Sequence, residues 1–406
     1  MPVGRIPGTP RGRVYSSRAE ISLWLDKGRA QTDLEPTPDS AKQGRSSNKY
    51  MFFGVALVIV LMGIASLITF RFRGDTLLAR VSFTADSLRA FDADGRILWV
   101  HKFSGLLAPL SVNGRDLSDL DRTARIADLY GNGGREVVVV APIRASPDPE
   151  EVAHLEVDCF SSSGRLIWSY SPTETFKFGS GEMNGPWVLY DLMISDTHAI
   201  YAAVLHAVWG NSFVVQLDPQ SGRGIVRFVN TGSILRLHEF ETSGSRYLLV
   251  GGFNNEFDGG SLAIVDERKR FAASPQTVGT RHRCLDCPPG DPDYYFVFPR
   301  SELNRHREVY LNNIGDLRVN GEEIEIRKRE TDSKAWTYYI LGAKPTYHVA
   351  SMRFDSQYEM FHREMEQSGE LDHSLAICPE RLHPAAVRMW TRSNGWERLE
   401  VPPVSQ

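Results

Sequence analysis

The hydrophobic pattern is dominated by one unbroken run. Met51 to Phe70, MFFGVALVIVLMGIASLITF, is twenty residues without a charge. At ~1.5 Å rise per residue, a helix of that length crosses a hydrocarbon core of ~30 Å. Buried core helices are usually shorter and interrupted by polar positions. Fifty residues precede the run, and it exceeds the apolar region of a cleaved signal peptide. Gly54 and Gly63 weaken a helix in water but are common in membrane spans. The pattern predicts a transmembrane helix over 50–70, with a short N-terminal part and a long C-terminal part on opposite sides.

Beyond the span the period changes. Between 77 and 345 short apolar runs are separated by Gly, Asn, Asp and Ser turns, which predicts an all-β array. One helical stripe follows, Tyr358, Phe361 and Met365 at i, i+3 and i+7, and predicts a helix packed on the β region. Internal repeats are visible. Phe91-Asp92-Ala93-Asp94-Gly95-Arg96-Ile97-Leu98-Trp99 aligns with Phe160-Ser161-Ser162-Ser163-Gly164-Arg165-Leu166-Ile167-Trp168. Each reads as a strand, a tight turn ending in Gly and a return strand ending in Trp, with Gly supplying the positive φ of a hairpin turn. Weaker copies lie at Leu217 to Arg223 and around Ile264-Val265-Asp266. Others lie at Asn320-Gly321 and Asn394-Gly395-Trp396.

This unit resembles the outer strand pair of quinoprotein-type β-propeller blades. A second motif, Ala127-Asp128-Leu129-Tyr130-Gly131-Asn132-Gly133-Gly134-Arg135-Glu136-Val137-Val138-Val139, resembles the FG-GAP/VCBS repeat of integrin-like propellers. A fainter copy ends at Glu308-Val309-Tyr310. The resemblance covers most of the C-terminal part and implies a β-propeller over 77–401. The irregular spacing, roughly 45–65 residues, is long for one four-stranded blade. It implies loop insertions and about six blades, with five or seven as alternatives. In the FG-GAP loop, carboxylates at alternating positions bind Ca²⁺ through oxygen. Asp128, Asn132 and Glu136 match those positions, and Tyr130 stands where the repeat carries an Asp ligand. The alternative is a metal-free turn in which Asp128 and Asn132 accept backbone amides and Glu136 ties the loop to the next strand.

The N-terminal flank, 1–28, has different chemistry. Gly and Pro turn residues with Arg5, Arg11 and Arg13, then Val14-Tyr15, suit a basic β-turn-β wing. Ser16 or Ser17 can cap a following helix, with Glu20 completing a capping box. Ile21, Trp24 and Leu25 share a face of that helix and Gly28 ends it. The stretch resembles the second half of an excisionase/MerR-like helix-turn-helix module. That resemblance implies phosphate contacts from Arg5, Arg11 and Arg13, which position a protein on DNA without reading sequence. The first helices of such a module are missing, so DNA becomes a partner only if a complete module lies upstream of Met1. Residues 29–49, with Pro36, Pro38, Gly44 and several Ser, read as a flexible linker.

Charge supports this division. The first fifty residues carry nine Lys/Arg against five Asp/Glu, or +4, so a chain total of −4 leaves −8 for the remainder. A basic tail suits nucleic acid or anionic lipid. The charges beside the span, Lys42, Arg45 and Lys49 against Arg71, Arg73, Arg80 and Arg89, do not set its direction. The flanks do: a DNA-binding remnant belongs in the cytoplasm, which places the C-terminal domain outside it, on a cell inner membrane.

Four cysteines, at 159, 284, 287 and 378, are too few for a disulfide scaffold. Cys284-Leu285-Asp286-Cys287 is a C-x-x-C with His282 before it and Pro288-Pro289-Gly290 after it. Zinc takes four ligands, usually from two such pairs, and Cys378-Pro379 is isolated. A redox site would want a βαβ context. The expectation is a small structural disulfide between Cys284 and Cys287, with free thiols or a metal as alternatives. The loop Gly251 to Gly260, GGFNNEFDGG, is the richest polar cluster and reads as a ligand loop or a long blade connection. The chain carries no G-x-S-x-G, H-E-x-x-H or P-loop, and no paired carboxylates stand out. The expected function is therefore binding or sensing, not catalysis: a membrane-anchored propeller face meeting a protein or small-molecule ligand, with no cofactor expected and calcium as the one alternative the repeats allow. A quinoprotein-like enzyme and a scaffold for an envelope complex are the alternatives.

Overall fold

The computed structural model describes residues 4–5, 14–15, 77–107, 111–112, 115–116, 123–144, 154–269, 271–287, 290–306, 312–330 and 335–404. The predicted span at 50–70, Arg11, Arg13 and the faint repeat at 308–310 lie outside the described residues. No helix among the described residues is long and apolar enough to cross a membrane. The chain divides into two units, Met1–Gly74 and Asp75–Gln406. In the first, Gly4–Arg5 pairs antiparallel with Val14–Tyr15, Arg5 opposite Val14.

The second unit is built from successive antiparallel meanders. Sheet one holds β1 (Arg80–Phe83), β2 (Ser87–Phe91) and β3 (Ile97–Lys102). Sheet two holds β4 (Ala124–Ala127), β5 (Glu136–Arg144), β6 (His154–Phe160) and β7 (Leu166–Tyr170). Sheet three holds β8 (Trp187–Ile194), β9 (Ile200–His206), β10 (Ser212–Leu217) and β11 (Gly224–Asn230). Sheet four begins with β12 (Ile234–Thr242), β13 (Ser245–Asn254), β14 (Gly259–Asp266) and β15 (Tyr294–Phe298). After a short helix α1 (Glu302–Arg305), sheet five holds β16 (Ile314–Asn320), β17 (Glu323–Arg329), β18 (Trp336–Gly342) and β19 (His348–Phe354). Helix α2 (Ser356–Ser368) and the short α3 (Pro379–Leu382) follow. The chain then returns, and β20 (Val387–Thr391) and β21 (Gly395–Leu399) extend sheet four beyond β15.

Strand alternation shows how the sheets stack. In β5, Val137, Val139 and Ala141 pack with Leu88 and Ala90 of sheet one, while Val138 and Val140 pack with Val204 and Phe213 of sheet three. In β9, Ala202 and Val204 face sheet two, and Tyr201 and Ala203 share a core with Leu248 and Val250 of sheet four. Leu249, one residue from each of the last two, faces Ile314, Ile324 and Ile326 of sheet five. Period-2 side chains thus give each inner sheet two buried faces, which explains why β5 and β9 read as continuous apolar runs. The first strands β4, β8, β12 and β16 neighbour one another from sheet to sheet.

The Trp-ended repeat is also a joint between sheets. Trp99 ends the sheet-one repeat, and its Nε1 donates to Ser162 O at 2.9 Å in the turn of sheet two. Its indole lies over Gly164, where a Cβ would fall 2.6 Å from the ring. Trp168 repeats the device on sheet three, donating to Pro219 O at 2.7 Å and covering Gly222. At the next junction Val226 takes the Trp position, and Arg227 donates instead to Glu267 O in the turn of sheet four.

The all-β expectation for 77–345 holds among the described residues apart from the single turn of α1, and the predicted late helix is α2. Asp355 caps it, accepting from Tyr358 N at 2.7 Å, and Gly369 ends it at φ 78°. Tyr358 and Met365 sit in the core beneath sheets four and five, with Phe361 packed against it. Where about six blades are expected, five stacked sheets are found, and among the described residues they do not close into a ring. The outer face of sheet one presents Arg89 and Val100 to solvent. That of sheet five carries an ionic lattice in which Arg327 meets Glu325 at 2.8 Å and Asp316 at 3.3 Å.

Candidate functional site

The polar ladder under the GGFNNEFDGG loop fixes the base of a surface cleft. Asn254, fully buried at the end of β13, donates Nδ2 to Tyr295 Oη at 2.8 Å, and Tyr295 donates to Asn230 Oδ1 at 2.9 Å. Asn254 Oδ1 accepts from Glu256 N and Phe257 N at 2.9 and 3.0 Å. The loop therefore projects Phe257 from a fixed base. Phe257 meets Trp396 of β21 edge-on, with ring centroids 4.8 Å apart. The Arg388 guanidinium of β20 lies 5.1 Å from both ring centres, within cation–π range. Burial lowers the Arg388 pKa from its ordinary value, far too high for the charge to be lost at neutral pH.

Two clefts open on either side of Phe257. The larger, about 620 Å³, is lined by Gln276, Thr277, the Cys284–Cys287 segment, Trp390, Arg392 and Trp396. The smaller, about 420 Å³, is lined by Arg300, Arg305, Arg388 and Arg398 with Asp258. Some of these cations are neutralised: Arg392 pairs with Asp291 at 3.6 Å, Arg300 with Asp258 at 3.1 Å and Arg305 with Glu380 at 3.1 Å. Arg283, which also lines the larger cleft, and Arg388 and Arg398 have no carboxylate partner within ion-pair distance among the described residues. The surface offers aromatic faces beside an excess of positive charge. That suits a ligand with carboxylate or phosphate groups and a flat or apolar part.

The wall containing Cys284 and Cys287 is pinned from below. The two form a disulfide with Cα atoms 5.6 Å apart. Leu285 N donates to Lys177 O at 2.6 Å, and Lys177 N donates to Asp286 Oδ1 at 2.9 Å. Cys159 and Cys378 are free and buried.

The FG-GAP-like loop lies far from this cleft in the sequence and serves sheet two. Asp128 accepts from Asn132 N at 3.1 Å and Gly133 N at 2.9 Å, bonds that hold its pKa below the usual carboxylate range. Asn132 Oδ1 accepts from Gly134 N at 2.8 Å, and the buried Glu136 accepts from Leu129 N at 3.0 Å. All three candidate calcium ligands thus accept amides of their own loop. Tyr130 donates to Pro219 O at 2.9 Å, the carbonyl that also receives Trp168, so it adds to the joint between sheets two and three. Arg5 lies on the N-terminal hairpin, and Arg11 and Arg13 lie outside the described residues.

In the sequence the Gly251–Gly260 loop and the Trp396 repeat stand out separately, and nothing there shows that they meet. Arg388 and Arg398 sat in no motif. Their signal was the alternation in β20 and β21 around Trp390 and Trp396, visible only once β20 is known to extend sheet four.

No protein-family model matches the chain. No curated protein matches it either. Among solved structures it is similar to an exotype rhamnogalacturonan lyase, YesX, at 9% identity over 80% of this chain and 68% of that one, with a TM-score of 0.23. A likeness that slight carries no argument about fold or function.

Proposed function

We propose that the chain is a single-pass membrane protein, spanning at 50–70 with a cytoplasmic N-terminus, whose propeller-type stack of sheets binds an anionic ligand outside the cytoplasm. The observation that carries the binding reading is the Phe257–Trp396–Arg388 cluster between two arginine-lined clefts. The Trp-on-Gly joints and the side-by-side first strands support the propeller-type reading, since rigidly stacked blades converge loops on one surface. A cytoplasmic DNA-binding output through Arg5, Arg11 and Arg13 belongs to this reading only with a complete upstream module. An in-frame stop directly before Met1 removes it.

Two measurements test it. Reporter fusions after Gln43 and after Gln406 are expected to report opposite sides of the membrane, and a cytoplasmic C-terminus overturns the arrangement. For binding, the full chain in detergent is titrated with a poly-glutamate peptide while tryptophan fluorescence is followed. A saturable change is expected, weakened with rising salt because the cleft arginines are partly exposed. Arg388→Ala together with Arg398→Ala is expected to weaken it at least tenfold, roughly 1.4 kcal/mol or more. Equal affinity in that variant places the site elsewhere.

A further inference from the structure

Beneath sheets four and five, α1, α2 and the segment from Leu371 to α3 bring together four side chains that no sequence motif links. Glu302 opens α1. His362 lies in α2 on the apolar stripe, one helical turn after Tyr358, and is fully buried. His373 follows the end of α2, and the fully buried Cys378 immediately precedes α3. Each offers one ligand atom, and these atoms all lie within 4.8 Å of one another. His373 Nε2 is 3.2 Å from Glu302 Oε2, and Cys378 Sγ is 3.7 Å from the same oxygen. The His362 and His373 rings have centroids 5.3 Å apart.

Among the described residues, neither ring nitrogen of His362 has a hydrogen-bond partner. A buried imidazole with both nitrogens unmet is rare, because native structures satisfy their buried polar atoms. His373 has its outer nitrogen held, with Nδ1 3.0 Å from Asp372 Oδ1. That leaves Nε2 turned inward, the carboxylate–histidine arrangement that orients metal-ligating imidazoles. Glu302 is placed by a rigid base: Ser301 caps α1 and, with Asn304, also donates to the buried Glu330 of sheet five. Glu330 is paired with Lys328 at 2.7 Å.

We propose that Glu302, His362, His373 and Cys378 form a four-coordinate Zn²⁺ site that staples α1, α2 and α3 to the core under sheets four and five. Two imidazoles, one thiolate and one carboxylate are a zinc donor set. Thiolate and imidazole argue against magnesium and calcium, and four protein ligands make a closed, structural site. On binding, the Zn–S bond forms and the Cys378 thiol proton leaves to solvent. A second grouping of donors among the described residues, Cys284, Asp286 and Cys287, has its sulfurs tied in the disulfide.

The test uses the full chain in detergent, stripped by chelator and titrated with Zn²⁺ against a chromophoric competitor, and separately with Co²⁺. One equivalent of zinc is expected. Cobalt is expected to give intense tetrahedral d–d absorption and a thiolate charge-transfer band. Cys378→Ser is expected to abolish the charge-transfer band and weaken zinc at least tenfold, and His362→Gln at least a hundredfold. Cys159→Ser is expected to leave both unchanged. As a measurement independent of variant folding, stripping the wild-type chain is expected to lower its thermal midpoint, and Zn²⁺ but not Mg²⁺ to restore it. Three results overturn the site: no stoichiometric zinc in the wild type, zinc held equally by both variants, or a midpoint indifferent to metal. Poly-glutamate binding in the cleft is read separately, so either proposal can fail alone.

Discussion

Asp158 sits in β6 at 3% exposure, hydrogen-bonded by Ser169 Oγ and one residue from the free thiol of Cys159. Burial pushes its carboxyl up to about 6, the Ser169 bond opposes this, and the nearby Glu156 adds to it. An unfolded Asp titrates near 3.9. Because the folded value is higher, the folded state binds the extra proton between about pH 4 and 6. The stability tied to this group is complete below about pH 4 and is lost as pH rises through about 6. A difference of about two pK units corresponds to about 3 kcal/mol. Asp158→Asn keeps the shape and the acceptor for Ser169 but removes the charge. The variant is expected to be the more stable at pH 8, by up to about 3 kcal/mol, and to match the wild type near pH 4. Denaturant titrations across that range check it, and a gap independent of pH would refute the assignment. Tyr130 shows what a sequence does and does not disclose at this scale. Its departure from the FG-GAP pattern was legible, but its partner, Pro219 O, lies 89 residues away. Only the stacking of sheet two on sheet three turns a missing ligand into a joint.

At the scale of elements, the sequence disclosed what local chemistry dictates. The Gly turns at 95, 164, 222, 321 and 395 all adopt positive φ, and the Tyr358, Phe361, Met365 stripe became α2. The same stripe carried His362, and a histidine on the buried face of an amphipathic helix was the one signal of the metal cluster. Its partners Glu302, His373 and Cys378 come from three other segments, so spacing could not expose them. The Trp-ended repeats were legible as hairpins but not as latches, because the latch joins one repeat to the next. Two glycines separate these roles. Gly222 (φ 68°) lies under Trp168, where a Cβ would meet the ring at 2.7 Å, whereas Gly321 (φ 61°) has nothing within 4 Å. Gly321→Ala bears only the left-handed backbone, about 1–2 kcal/mol. Gly222→Ala bears that and overpacking, a further 1–3 kcal/mol or so. The expected ordering is a larger loss for Gly222→Ala, measured as shifts in denaturation midpoint. In a Trp168→Ala background the excess is expected to shrink, and an undiminished excess would show that the latch contributes nothing.

Across the whole second unit, stability is distributed by the stacking order. Sheets two, three and four bury both faces, so their strands lose protection only when a neighbour also opens. Sheet one shares a single face, through Leu88 and Ala90 against Val137 and Val139, and its outer face is wet. Sheet five also shares one face, but β20 and β21 extend sheet four, and α2 packs in the core common to sheets four and five. The two ends are therefore unequal. Linear stacks open from their weakest end, and local openings cost less than global unfolding. Amides of β1–β3 are expected to exchange hydrogen through a sub-global opening, while those of β9, β10 and β13 exchange only with global unfolding. Val139→Ala removes two methyl groups from the face shared with sheet one, and Ile or Val truncations of this kind cost about 1–3 kcal/mol. It is expected to lower the opening free energy of β1–β3 by that amount, on top of any global loss shared by all strands. Val138→Ala, on the opposite face of the same strand, is expected to lower global stability without that extra loss at β1–β3. Native-state hydrogen exchange resolved by strand distinguishes them. If both variants move β1–β3 and β9 together by equal amounts, the sheets open as one unit and the stack has no weak end.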